Sequence, residues 1–211
     1  MMQGQSIKNQ VYEGIMKDIL DGVYQANDII NERTIMEKYG VSKTPVREAL
    51  VQLCSEEVLN NIPRFGYQLT AILPSQIMEI IEYRKVIELG ALELCFFRLT
   101  KEQIDELKRQ NEDAVRLIDT RDSKIHWEAN NLFHRTLCSY CGNGYIQKSL
   151  ADAMNTCTRI SNQYFTKLWN ESKVSDGSNH VHLVAAIESG DLELAKAILI
   201  DDVESFKHEI L

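Results

Sequence analysis

Tyr39-Gly-Val-Ser-Lys-Thr-Pro-Val-Arg-Glu-Ala-Leu50 is the stretch on which the fold of this 211-residue chain turns. Gly40 closes a short helical run, Asn31 to Tyr39, and Val41-Ser42 leave room only for a tight turn before a longer helix from Lys43 to about Leu59. Ser42 stands at the N-cap position, and Pro45 falls in the first turn, where the missing N–H has no intrahelical partner to lose. Upstream, Ile7, Val11, Ile15 and Ile19 recur every four positions, with Met16 and Leu20 widening the stripe, so an amphipathic helix runs to Gly22. Downstream, Asn60 to Thr70 alternates and turns about Phe65-Gly66, as a small hairpin does.

Helix, tight turn, helix and hairpin in this order describe a winged helix-turn-helix, whose second helix is narrow enough to enter the major groove of DNA. Ser42, Lys43, Thr44 and Arg47 stand at the tip of that helix. Lys43 and Arg47 can donate to guanine or phosphate oxygens, and Thr44 can bond a phosphate or meet a thymine methyl. Arg33, on the preceding helix, and Arg64, at the hairpin turn, flank them. The formal net charge of -8, and seven Lys and Arg against nine Asp and Glu in residues 1–72, exclude a surface that is basic throughout. The cations must act where they cluster.

Pro74-Ser75 punctuates the chain, and from there to Leu211 the periodicity is helical with no convincing strand. Breaks near Thr100, Ser123, Gly142 to Gly144, Ser172 to Ser178, and Gly190 delimit about six helices. The expected organisation is mainly α: a winged helix-turn-helix DNA-binding domain over 1–72 and an all-helical domain over 75–211. Charges interrupt every apolar run before it reaches the length of a membrane span, and five cysteines at irregular spacing fit a reducing compartment, so a soluble cytoplasmic protein is expected.

Gly22-Val-Tyr, Asn31-Glu-Arg, Tyr39 to Leu50 and Arg64-Phe-Gly66 together resemble the GntR family of bacterial transcriptional regulators, with Val41 to Leu50 matching the usual pattern at nearly every position. The resemblance adds Gly66 to the DNA-binding set. The chain departs from the family at Ala26-Asn27, where Pro-Gly is usual, at Lys43, where Arg is usual, and at Glu57, where Gly is usual. Lysine lacks the bidentate fork of arginine, so base preference at position 43 is expected to be looser. Tyr83 to Glu88, Asn130 to His134 and His180 to Asp191 resemble the FCD effector domain of the FadR-like branch, which implies an antiparallel helical bundle over 75–211, and the helix count suggests its VanR-like subgroup.

That resemblance implies a divalent metal held in the bundle by Asn130, His134, His180 and Asp202, with Asn130 replacing the usual Asp and Asp202 the usual last His. Spacing agrees. Asn130 and His134 share a helix face at i, i+4, and Asp202 interrupts the apolar stripe Ala195, Leu199, Phe206, where a buried carboxylate needs partners. His182 lies two residues beyond His180 and must point elsewhere. Two nitrogens and two oxygens suit zinc, manganese or nickel, and the bound ion would leave the pocket positive enough to attract a small carboxylate effector, which Arg84 and Arg159 could clamp. The implied protein is a homodimer that sets two recognition helices on operator DNA and is not an enzyme. A metal-dependent hydrolase explains the His and carboxylate set but not the first domain, and a bundle serving dimerisation alone needs no ligand. Cys138 and Cys141, following His134, could form a thiol site but read more readily as buried filler, and Trp127, Trp169 and Phe96-Phe97 read as core or interface.

Overall fold

The computed structural model describes residues 6–117, 123–168 and 178–210. The chain divides into two compact units between Ile72 and Leu73. Trp169 and the expected break over 172–177 lie outside the described residues.

The first unit contains α1 (Ile7–Leu20), β1 (Ile29–Ile30), α2 (Glu32–Tyr39), α3 (Lys43–Ser55), β2 (Leu59–Ile62) and β3 (Gly66–Leu69). Ser6 caps α1 by accepting from the Asn9 N–H, and Val11, Ile15 and Ile19 bury its apolar stripe while Ile7, at the end of the helix, stays exposed. These residues close on Ile35 of α2, on Val46, Ala49, Leu50 and Leu53 of α3, and on Tyr67 and Leu69 of the sheet. Ser42 does occupy the N-cap of α3, but its side chain makes no capping hydrogen bond.

Two features differ from the reading by spacing. The strand pair at the wing is a three-stranded antiparallel sheet of order β1-β3-β2, because Ile29 and Ile30 pair with Gln68 and Tyr67. A two-residue strand has too little periodicity to announce itself. Helix α3 also stops four residues short of Leu59. Glu57 turns left-handed at φ +57, the Val58 N–H bonds the Leu53 carbonyl at 3.0 Å, and the Glu57 N–H bonds Cys54 at 3.1 Å. This is the closure that Gly22 gives α1, made here by a residue whose side chain strains against it.

The second unit is all helical among the described residues: α4 (Pro74–Cys95), a 3-10 turn (Phe96–Arg98), α5 (Lys101–Leu117), α6 (Ser123–Ser139), α7 (Gly144–Leu168), α8 (Ser178–Ser189) and α9 (Leu192–Ile210). Helix α4 starts on Pro74, with the Leu73 N–H taken by Gln76 Oε1 at 2.9 Å, and packs against α6, α7 and α9. Helix α8 packs on α9 and α5. Residues from α4, α6, α8 and α9 therefore converge on one interior. No described helix is long and apolar enough to cross a membrane.

Candidate functional site

Helix α3 buries Val46, Ala49, Leu50 and Leu53, which turns Lys43, Thr44, Arg47, Glu48 and Val51 outward along the opposite face. These five line a shallow concavity of about 440 Å³. Ser42 and Arg33 are exposed beside it, Arg33 in an ion pair with Glu37 at 2.8 Å and Lys43 in one with Glu32 at 3.1 Å. At the wing, Arg64 is exposed at φ +73, and the Phe65 N–H closes the turn onto the Ile62 carbonyl at 3.0 Å. Gly66 is fixed by space. A Cβ there would stand 2.7 Å from the Ile30 carbonyl oxygen, at a backbone φ of +130 that L side chains rarely adopt.

The second site is a chain of buried polar groups through the bundle. Arg84 on α4 is 1% exposed, and its Nε donates to Glu88 Oε1 at 2.8 Å. The other oxygen of Glu88 lies 2.6 Å from His134 Nδ1 on α6. His134 Nε2 then faces Asp202 Oδ2 of α9 at 3.0 Å and His180 Nε2 of α8 at 3.3 Å, while His180 Nε2 and Asp202 Oδ2 are 3.4 Å apart. Phe133 stacks on the His180 ring with centroids 3.9 Å apart and holds its orientation.

Burial opposes every charge in this chain, and the neighbours overrule it. Desolvation alone would lower His134, but the Glu88 carboxylate and the bond to Asp202 lift it to about 9. Burial would raise Asp202, yet His180 and the bonds from both imidazoles hold it below the usual carboxylate range. Glu88 is likewise held low, against its own burial, by Arg84 and His134, and Arg84 is held above its ordinary value chiefly by Glu88. Arg84 Nη2 makes no hydrogen bond to a nitrogen or oxygen among the described residues, while the guanidinium also interacts with the buried Cys157 thiol. A buried guanidinium nitrogen left without an oxygen acceptor costs free energy that an anion would recover.

Two family models match the chain, one over each unit. The model for bacterial regulatory proteins of the gntR family covers residues 7–68, and the FCD domain model covers residues 79–205. The chain belongs to the GntR family and carries an FCD domain. It is therefore a DNA-binding transcriptional regulator of the FadR-like kind and not an enzyme. Among relatives of this GntR regulator, the uncharacterized HTH-type transcriptional regulator YdhC of Bacillus subtilis (strain 168) is 29% identical over 69% of the chain and 65% of its own length. The gluconate operon transcriptional repressor of the same organism is 28% identical over 88% of the chain and 79% of its own length. Among solved structures, E. coli McbR/YncC shares the fold at a TM-score of 0.81, with 21% identity over 95% of both chains.

In this GntR regulator the residues singled out by sequence fall into two groups. His134, His180 and Asp202 come together, and their three ligand atoms form a triangle that could hold a metal ion. The triangle fits that use. Donors about 2.1 Å from an ion lie about 3.0 Å apart for octahedral cis pairs and about 3.4 Å apart for tetrahedral ones, and the observed edges span that range. Asn130 is half-buried four residues before His134 on α6, and His182 is exposed where His180 is buried. Arg159, on α7, is half-buried, and burial lowers it to about 10. Cys138 and Cys141 are buried free thiols, and burial pushes Cys138 up to about 12, which leaves no reactive thiolate there. Trp127 is buried, with its indole N–H donated to Thr158.

Sequence reading missed Glu88. The signal was there, since Arg84 and Glu88 interrupt the stripe Ile77, Ile81, Ala91, Cys95 of α4 just as Asp202 interrupts that of α9.

Proposed function

We propose that the bundle senses a small organic acid together with a divalent ion, and that the regulator acts as a homodimer setting two recognition helices in successive major grooves of a pseudo-palindromic operator. His134, His180 and Asp202 would hold the ion, with the Asn130 amide as fourth donor. Glu88 would fix the His134 tautomer by accepting from Nδ1, so that Nε2 presents its lone pair to the ion. The ion supplies a positive centre that draws an anionic effector. Zinc, manganese and nickel suit the donor set. The observation that carries the sensor reading is Arg84 Nη2, without an oxygen acceptor, buried beside this triangle and suited to clamp the effector carboxylate, with Arg159 as a second cation.

The relative named for the gluconate operon supports a sugar acid as effector class. The six α-helices described in the bundle support the VanR-like subgroup. On DNA, Ser42, Lys43, Thr44 and Arg47 would meet base edges and phosphates, with Arg33, Arg64 and Gly66 against the flanking backbone.

Elemental analysis of protein purified without chelator or nickel resin, paired with thermal shifts against small hydroxy acids including gluconate before and after EDTA, tests the sensor. Near-stoichiometric metal and stabilisation by one acid that EDTA abolishes are expected. Absent metal with EDTA-independent shifts would overturn the ion's role and leave Arg84 as the anchor. No shift with any acid would favour a bundle used for dimerisation alone.

A further inference from the structure

Helix α4 carries its buried network on one face and an unexplained apolar stripe on another. Tyr83, Val86 and Leu94 of α4, and Phe97 of the 3-10 turn that follows it, are 43%, 71%, 46% and 78% exposed, and with Gly90 they stand three or four residues apart in succession. Gly90 sits mid-helix, where glycine is among the poorest residues, and a Cβ built on it meets nothing within 4 Å. Nothing among the described residues requires that glycine. A helix interior gives up a side chain in the middle of an apolar stripe where another backbone must come close.

The order of residues on either side specifies the occupant. An interface between two copies is isologous, so when antiparallel helices cross on a twofold axis at one residue, positions equally far before and after it face each other. About Gly90 that rule pairs Val86 with Leu94 and Tyr83 with Phe97, apolar against apolar, and at the next step it pairs Glu82 with Arg98, acid against base. Glu82 is exposed and enters no ion pair among the described residues. Arg98, in the 3-10 turn, is exposed too; its Nε and Nη2 are donated to the Leu94 carbonyl and Nη2 also reaches the Cys141 carbonyl at 3.5 Å, while Nη1 makes no hydrogen bond among the described residues. A stripe meant for an unrelated partner has no reason to be complementary to its own reversal.

We infer that α4 is the self-association face of the bundle, with Gly90 of the two copies meeting at the twofold axis. The inference rests on the homodimer reading above and adds the surface and the register. Contacts centre on the glycines, where the two backbones approach, while Val86, Leu94, Tyr83 and Phe97 exclude water around them and the Glu82 to Arg98 pairs close the rim. Because the same helix carries Arg84 and Glu88, an effector that moves α4 also moves the joint between subunits.

Sedimentation equilibrium of the full chain tests this. Val86→Glu should weaken the dimer by roughly 100-fold or more, since each change enters the interface twice, while circular dichroism stays that of the parent. Gly90→Leu separates the interface from folding: it has open space and better helix propensity within one chain, so thermal stability at low concentration should hold or rise while dimerisation falls. Glu82→Arg should weaken the dimer by about tenfold and the double variant Glu82→Arg/Arg98→Glu should restore it, an outcome that only the antiparallel register yields. A parent that dimerises together with a Val86→Glu variant that dimerises equally well overturns the face and leaves the homodimer standing. A parent that stays monomeric up to about 100 µM overturns both, and the stripe then belongs to another protein.

Discussion

The two units bury different things. The core of the first is hydrocarbon, from Val11 and Ile15 of α1 to Leu53 of α3 and Leu69 of β3, with Tyr67 buried in it and Tyr12, Tyr24 and Tyr39 packed at its edge. Among the described residues every buried charged side chain lies in the bundle, where Arg84, Glu88, His134, His180 and Asp202 form one connected run. In the first unit the chemistry faces outward and the fold beneath it is indifferent to that chemistry. In the bundle the chemistry is part of what the helices pack around. A surface site can change its side chains without refolding, whereas a buried one ties recognition to stability.

The sharpest way to break this contrast is Glu88→Ala. It removes the carboxylate shared by Arg84 and His134 and leaves two buried cationic groups facing each other. A loss of about 3–5 kcal/mol is expected, because one partner of a buried ion pair is left uncompensated. Urea denaturation of the full chain measures it, and a loss under about 1 kcal/mol would mean that water reaches the network. Arg47→Ala is the counterpart on the first unit. Operator affinity should fall by about 1–3 kcal/mol in a titration at fixed salt, while the unfolding midpoint moves by no more than an exposed substitution normally moves it. A matching loss of stability would show that Arg47 belongs to the fold. The smallest effect expected is a gain. Glu57→Gly relieves a left-handed backbone at φ +57 and should stabilise the first unit by about 0.5–1 kcal/mol, leaving DNA binding unchanged because the residue lies past the far end of α3.

The same contrast explains what the sequence disclosed. Gly40 between two apolar-periodic runs, and Gly66 at the hairpin, mark places where the backbone permits one residue type, and such marks are read locally. Asp202 announced itself because a carboxylate breaks an apolar stripe. Glu88 breaks one too, yet it sits four residues after Arg84, and an i, i+4 ion pair on a helix is ordinarily a solvent-exposed feature. Its burial is decided by His134, 46 residues away. The strand Ile29–Ile30 was hidden for a like reason, since its partners Gln68 and Tyr67 come from the far end of the unit. The true end of α3 was hidden because Glu57 does the work of a glycine without being one. Short-range rules failed where the deciding contact was remote or where the residue was the wrong type for its conformation.

The ion pair between Lys43 and Glu32, and that between Arg33 and Glu37, bear on how this regulator responds to its ionic medium. Each of those cations already holds a tethered carboxylate. A phosphate that displaces such a carboxylate gains a contact, but the displaced charge stays on the protein, close to the DNA backbone. Arg47 and Arg64, which form no ion pair among the described residues, would meet phosphate without that opposition. On the proposed DNA contacts, long-range attraction to any duplex would thereby be muted while short-range fit is kept. Operator affinity is expected to fall less steeply with added salt than a count of four cations per recognition surface implies. The acidic partners would then leave the regulator less time bound to the wrong DNA.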